Sequence, residues 1–377
     1  MAGDVDFDLP SVGWSRESYD VARRFCYINE FEVSLITELR IIEKDYSHLY
    51  NHTLAMILVE YASAVNLTAL FTWTCSRCTD LTKGFEMIEL IVDVKNCLQA
   101  YVGVAHDLNA IVIAFRGTQE NRNGYSSCLL CFGSIRNWIQ DLFWKQLDLN
   151  YPDMPDAMVH HGFYSSYHNT TLRPGITSAV LEARELYADI PIMVTGHSMG
   201  GAMASFCALD LTVNYGLHHV QLMTFGQPRI GNAAFASYFH KHVPHAIRVT
   251  NEHDMVPHLP PYYSYFPQKT YHHFPREVWV HNAGLDSLVY VVEQICDSSG
   301  EDPSCSRSVR GNSISDHLEY FGVSMEAETW GSCGIVFYGN VAEYQVDIAG
   351  NIVLSKWPSA SSVLPQGEEE NRGSSSM

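Results

Sequence analysis

A reactive centre is suggested first by Gly196-His197-Ser198-Met199-Gly200, where the β-branched, apolar run Ile192 to Thr195 stops and a helical pattern begins. A strand that turns sharply into a helix packs the neighbours of the turn closely, so glycine is wanted two residues before and two after it. Such an elbow exposes the serine hydroxyl and aims helix N-terminal amides at it. Gly201, Ala202, Ala204 and Ser205 are small enough to let the following helix lie against a sheet. The chemistry is acyl transfer, with Ser198 as nucleophile, once a base takes its proton and an acid orients the base. Read instead as a plain helix cap, Ser198 would leave the flanking glycines unexplained.

This elbow belongs to α/β-hydrolase sheets, where the partners follow in the order Ser, Asp or Glu, His. Downstream, Val220 to Phe225 and His245 to Thr250 read as strands, and Asp254 lies just past the second. Glu252 and Asp286 are the other acids within the pattern. Among eighteen histidines, His317 follows a Gly- and Ser-rich loop and opens what the pattern reads as a last short helix; His258, His272, His273 and His281 are its rivals. In this arrangement His317 takes the Ser198 proton while Asp254 holds the imidazole in the right tautomer. Two donors must meet the oxyanion: the backbone amide of Met199, and Thr118, which follows the apolar strand Ala110 to Phe115. No cofactor is needed. The pairs His160-His161, His218-His219 and His272-His273 lack partner ligands at metal spacing.

These residues must be carried by a sizeable domain, and 377 residues, 46% hydrophobic and 12% aromatic, can bury its core. Three parts are expected: residues 1–48 as an N-terminal extension with room for one helix around Phe31 to Leu39, residues 49–355 as the main domain, and 356–377 as a polar, disordered tail. A net charge of -19 argues against nucleic acid and against electrostatic docking on anionic membranes. No apolar run reaches the roughly 18 residues of a transmembrane helix, so a soluble or peripheral protein is expected. Cys75 and Cys78, and Cys128 and Cys131, form two C-x-x-C pairs whose intervening chain does not read as a zinc knuckle, and Cys296 and Cys305 bracket a polar loop. Asn51, Asn66 and Asn169 are glycosylation acceptors, which suits a secreted chain, whereas the acidic opening MAGDVDFDLP lacks the layout of a signal peptide.

With these pieces together, the chain resembles the class 3, fungal-type triacylglycerol lipases, a family with many plant members. The resemblance runs from about Tyr61 to Gly322 and is carried by FRGT at Phe115 to Thr118, SIRNWIQDL at Ser134 to Leu142, VHHGF at Val159 to Phe163, GHSMGG at Gly196 to Gly201, FGQPRIGN at Phe225 to Asn232, HDMVPHLPP at His253 to Pro261 and DHLEYFG at Asp316 to Gly322. It implies an α/β-hydrolase fold with a central, mostly parallel sheet flanked by helices. It makes the positions matching Ser198, Asp254 and His317 the triad, and gives the one matching Thr118 a part in the oxyanion hole. It also implies disulfides in the WTCSRC block and the Cys296 to Cys305 loop, and hence the secretory route. The substrate implied is an acylglycerol at a lipid–water interface, by peripheral membrane or lipid-droplet contact, with phospholipase A1 and galactolipase as close relatives. A lid containing Trp138 would open at lipid, and Trp138, Ile139, Leu142, Phe143 and Trp144 either contact lipid there or pack under the sheet, Phe143 and Trp144 being equally suited to the core. One departure stands out: about a dozen residues, Arg122 to Gly133, are inserted between the oxyanion residue and the lid. That insertion keeps a second class of function in view, a lipase-like interaction or signalling scaffold.

Overall fold

The computed structural model describes residues 50–65, 70–117, 142, 149–152, 154, 156–262, 270–285, 288–326, 344–346 and 351–355. The chain divides into two compact units, Met1–Asn51 and His52–Met377. The first lies almost wholly outside the described residues, as do the helix expected around Phe31 to Leu39 and the tail 356–377.

Runs of β-branched and aliphatic residues supply the strands of one large sheet. In chain order these are β1 Phe85–Asp93, β2 Leu98–Ala105, β3 Ala110–Phe115, β6 Ile192–His197, β7 Val220–Phe225, β8 Ala246–Asn251, β9 Glu277–Leu285, β10 Leu288–Ile295, β13 Tyr344–Val346 and β14 Ile352–Ser355. Two short pairs stand apart: β4 Leu149–Asn150 with β5 Met158–Val159, and β11 Glu319–Tyr320 with β12 Val323–Ser324. Across the sheet the order is β10-β9-β8-β7-β6-β3-β2-β1-β14-β13. The centre, from β3 to β9, is parallel, while the strands on both wings pair antiparallel. β3, β6 and β7 are buried almost throughout, as expected where helices cover a parallel sheet.

Helices α1 His52–Ala64, α2 His161–His168, α3 Leu172–Tyr187, α4 Met199–Val213 and α5 Ala233–His242 flank it. α4 is buried from Met199 to Leu211. Its small residues seat it on β6 and β7, while Phe206 and Leu209 enter a core shared with Ile113, Phe115, Val194 and Phe235. Fully burying each such side chain contributes about 1.5–3 kcal/mol.

Cys75 and Cys78 form a disulfide, as do Cys296 and Cys305, so the first C-x-x-C pair is no zinc ligand set. Cys128 and Cys131 lie outside the described residues, together with the rest of 122–133. Of the expected lid contacts, Leu142 is buried and packs into the main core, so it is not a lipid contact in this state. Trp138, Ile139, Phe143 and Trp144 lie outside the described residues. Asn51 and Asn169 are exposed, and Asn66 is outside. No helix among the described residues is long and apolar enough to cross a membrane.

Candidate active site

The turn from β6 into α4 forces Ser198 to φ 57° and ψ -129°, a left-handed conformation that costs an ordinary residue about 1–3 kcal/mol. The glycines make the turn possible: a Cβ on Gly200 would lie 2.3 Å from the Phe115 carbonyl oxygen, and one on Gly196 would lie 2.5 Å from the Gly200 carbonyl carbon. The Ser198 amide donates to the Phe225 carbonyl at 2.9 Å, which ties the elbow to β7. Met199 is the buried first residue of α4. Thr118 lies outside the described residues, but its neighbour Gly117 passes close to the elbow: a Cβ there would meet the His197 carbonyl oxygen at 2.8 Å and Ser198 Cβ at 3.3 Å. Arg116 anchors this loop from below by donating to Gln99 Oε1 at 3.0 Å and to the Cys97 carbonyl at 2.8 Å.

Asp254 follows β8, and its carboxylate accepts three hydrogen bonds. Val256 N–H donates to Oδ1 at 2.8 Å, while His317 Nδ1–H at 2.8 Å and the Tyr320 hydroxyl at 2.5 Å both donate to Oδ2. A carboxylate only accepts, so the proton of His317 sits on Nδ1 and Nε2 presents a lone pair. That Nε2 and Ser198 Oγ are both buried, and neither has a hydrogen-bond partner among the described residues. Ser198, Asp254 and His317 are 1%, 2% and 0% exposed. Gly226 opens the space between them: at φ +58, its Cβ would lie 2.9 Å from Asp254 Oδ2, His317 Nδ1 and Tyr320 Oη alike.

His317 does not open a helix. It sits in a single turn, with its amide donating to the Ile314 carbonyl, just before the β11–β12 pair. The turn is strapped to the Asp254 loop. Asn251 Nδ2 donates to the Asp316 and Glu319 carbonyls at 3.1 and 2.9 Å, His253 N–H donates to Asp316 Oδ2 at 3.1 Å, and Asp254 bridges Ser313.

The rivals are engaged elsewhere. Glu252 Oε1 accepts from the Asn282 amide at 2.7 Å, and Asp286 lies outside the described residues. His272 Nδ1 bonds the His273 carbonyl, His273 Nε2 bonds the Pro257 carbonyl, and His281 stacks on Trp279. His258 packs against the backbone of Gly311, and burial lowers its pKa. None of the four hydrogen-bonds to Asp254.

Two contributors were not foreseen in the sequence. Tyr320 shares Asp254 Oδ2 with His317, and burial followed by the Asp254 charge raises its phenol well above the ordinary value, which keeps it a donor. His197 donates Nε2–H to the His317 carbonyl at 2.7 Å. Both contacts join residues far apart in the chain, and only the DHLEYFG block hinted at Tyr320.

An elbow serine, a buried Asp–His pair and a parallel-centred sheet together define a serine hydrolase constellation on an α/β-hydrolase fold. The family described as lipase (class 3) matches residues 112–264. The lipase of Rhizomucor miehei is 34% identical over 258 residues, covering 67% of this chain and 63% of its own length. A solved triacylglycerol lipase, described as having a serine protease triad as its catalytic centre, superposes with a TM-score of 0.60 at 33% identity, covering 76% of this chain and 98% of that one. A fungal lipase–inhibitor complex, titled as a model for interfacial activation in lipases, superposes with a TM-score of 0.58 at 33% identity, covering 74% of this chain and 95% of that one. The chain belongs to the class 3 lipase family. It spans 63% and 58% of the length of the first two curated lipases it matches.

Proposed function

We propose that the protein is a serine carboxylic ester hydrolase acting on acylglycerol lipids at a lipid–water interface, with Ser198, His317 and Asp254 as its triad. The observation that carries this reading is the pair of buried, unpartnered atoms, Ser198 Oγ and His317 Nε2, with His317 Nδ1 bonded to a triply held Asp254. A buried polar atom without a partner is costly, and a proton to be moved between two such atoms is a reason to keep them so. The catalytic domain is taken as residues 49–355.

His317 Nε2 takes the Ser198 hydroxyl proton as Oγ attacks the ester carbonyl, and the carbonyl oxygen becomes an oxyanion facing the Met199 amide and Thr118. The imidazolium then protonates the leaving glycerol oxygen, leaving an acyl-enzyme on Ser198. Water, deprotonated by the same Nε2, attacks the acyl carbonyl; the imidazolium then returns that proton to Ser198 Oγ as the acyl–Oγ bond breaks and the fatty acid leaves. Asp254 stays ionised throughout and offsets the charge on the ring. Phospholipase A1 and galactolipase activities use the same steps and differ in the head group carried by the glycerol that leaves. Similarity to a solved triacylglycerol lipase and to a fungal lipase that serves as a model for interfacial activation supports the acylglycerol and interface parts of the reading.

The test is hydrolysis of p-nitrophenyl esters and of emulsified triolein by the purified protein and by Ser198→Ala. Wild-type turnover on both substrates, reduced by several orders of magnitude in the variant, is expected. Equal rates in the two proteins would exclude this mechanism.

A further inference from the structure

The chemistry of the triad does not require a histidine at the residue before the nucleophile, yet His197 there is fully enclosed and engaged. Its Nε2–H donates to the backbone carbonyl of His317 at 2.7 Å. Its ring lies 4.4 Å from the His317 ring, tilted by 36°, and 5.8 Å from that of Tyr320. A carbonyl oxygen only accepts, so Nε2 of His197 carries the proton. Every other described strap on the His317 turn leads to the β8 side of the sheet: Asp254, Asn251, His253 and Met255. Ser198 stands at the end of β6, and β7 separates β6 from β8. Among the described hydrogen bonds, only that of His197 joins the base turn to the strand that carries the nucleophile.

We propose that His197 is a positioning residue, whose bond to the His317 carbonyl sets the distance between His317 Nε2 and Ser198 Oγ. The inference rests on the triad reading above. Misplacing a base by about 1 Å can cost on the order of a hundredfold in rate, so a single fixed strap across β7 has leverage. The identity of the residue follows from the demands on it: a donor that reaches the carbonyl, and no charge beside a base that itself becomes cationic. Burial, then the adjacent His317, holds the His197 pKa well below the ordinary value, so the ring is neutral and does not oppose the imidazolium formed at His317.

Two variants separate positioning from packing. His197→Phe keeps the ring volume and removes the donor, whereas His197→Gln gives up the ring and places an amide N–H near the position of Nε2. With a soluble short-chain ester, His197→Phe is expected to lose about tenfold in kcat with KM within about twofold, and His197→Gln to recover most of the loss. If Phe retains full kcat, or if Gln falls as far as Phe, the proposal is overturned. Should His197→Phe fail to fold, His197→Gln decides alone: near wild-type kcat supports the bond, and a tenfold loss overturns it.

A second readout needs no turnover. The bridging His317 Nδ1–H proton, assigned by its absence in His317→Asn, is expected as a downfield proton NMR signal that persists in wild type and His197→Gln and broadens by exchange in His197→Phe. An unchanged signal in His197→Phe overturns the inference. Should wild type hydrolyse no ester, the hydrolase reading fails, and the NMR signal still shows whether His197 fixes the base.

Discussion

Asp254 accepts from His317 and Tyr320 on one oxygen and from Val256 on the other, so its orientation is set even when one donor is removed. Tyr320→Phe should therefore lower kcat/KM by only about three- to tenfold, against several orders of magnitude for Ser198→Ala, measured on the same soluble ester. A loss in Tyr320→Phe matching that of Ser198→Ala would mean that Tyr320 does more than orient. Glu89 on β1 is buried, its Oε1 has no hydrogen-bond partner among the described residues, and burial followed by the Glu182 charge raises its pKa to about 8. A folded pKa raised above the unfolded value gives stability that is complete below about pH 4.5 and is lost as pH rises towards 8. Glu89→Gln should raise the melting temperature above pH 8 and leave it nearly unchanged at pH 4.5 by scanning calorimetry. At this scale Ser198 and Asp254 were legible in the sequence, because each lies at the end of an apolar run. His197 and Tyr320 were not, since a contact across 120 or 66 positions leaves no local pattern.

The elbow between β6 and α4 is the element on which the site depends. Gly200→Ala would press a methyl against the Phe115 carbonyl, so either the helix or β3 must shift. Destabilisation of about 1–3 kcal/mol is expected in urea titration, with activity lost in the folded fraction as well. Full activity in that variant would show that the turn has slack. The loop after Asp254 depends on a different device. Arg229, buried, makes two hydrogen bonds to Glu301, at 2.7 and 2.8 Å, and donates to the His258 and Pro260 carbonyls at 2.6 and 3.0 Å. Removing one partner strands a buried charge, so Arg229→Met should cost about 3–5 kcal/mol, with part of that recovered when Glu301→Gln is added. Additive losses in the double variant would argue against the coupling.

Ala110–Phe115 was legible as a continuous apolar run, and Val220–Phe225 as a largely apolar one broken by Gln221 and Thr224. The structure at His317 was not. Leu318 and Phe321 have helical spacing, but Phe321 and Gly322 adopt φ 53 and 73, a reversal that turns the chain into β11 and β12. Phe-Gly is a weaker signal for such a turn than Asn-Gly.

For the whole molecule, the -19 charge fits neutral lipid better than a polyanion, and buried histidines contribute to the loss of stability in mild acid. Burial is the first cause that lowers the pKa values of His168, His197, His258 and His273, that of His168 to about 4. These groups bind fewer protons folded than unfolded, so their stability is present above the ordinary value of 6.5 and is lost as pH falls through the folded values. The melting temperature should fall steadily between pH 6.5 and 4, and a flat profile there would contradict the neutral state of these rings.

On the proposed mechanism Ser198 is a nucleophile activated by His317 on Asp254. The most direct measurement is covalent labelling with a p-nitrophenyl phosphonate, followed by peptide mass spectrometry and the rate of p-nitrophenol release. One adduct per chain is expected, on the peptide containing Ser198, absent from Ser198→Ala and slowed by orders of magnitude in His317→Ala. Labelling on another residue, or at an unchanged rate in His317→Ala, would contradict it.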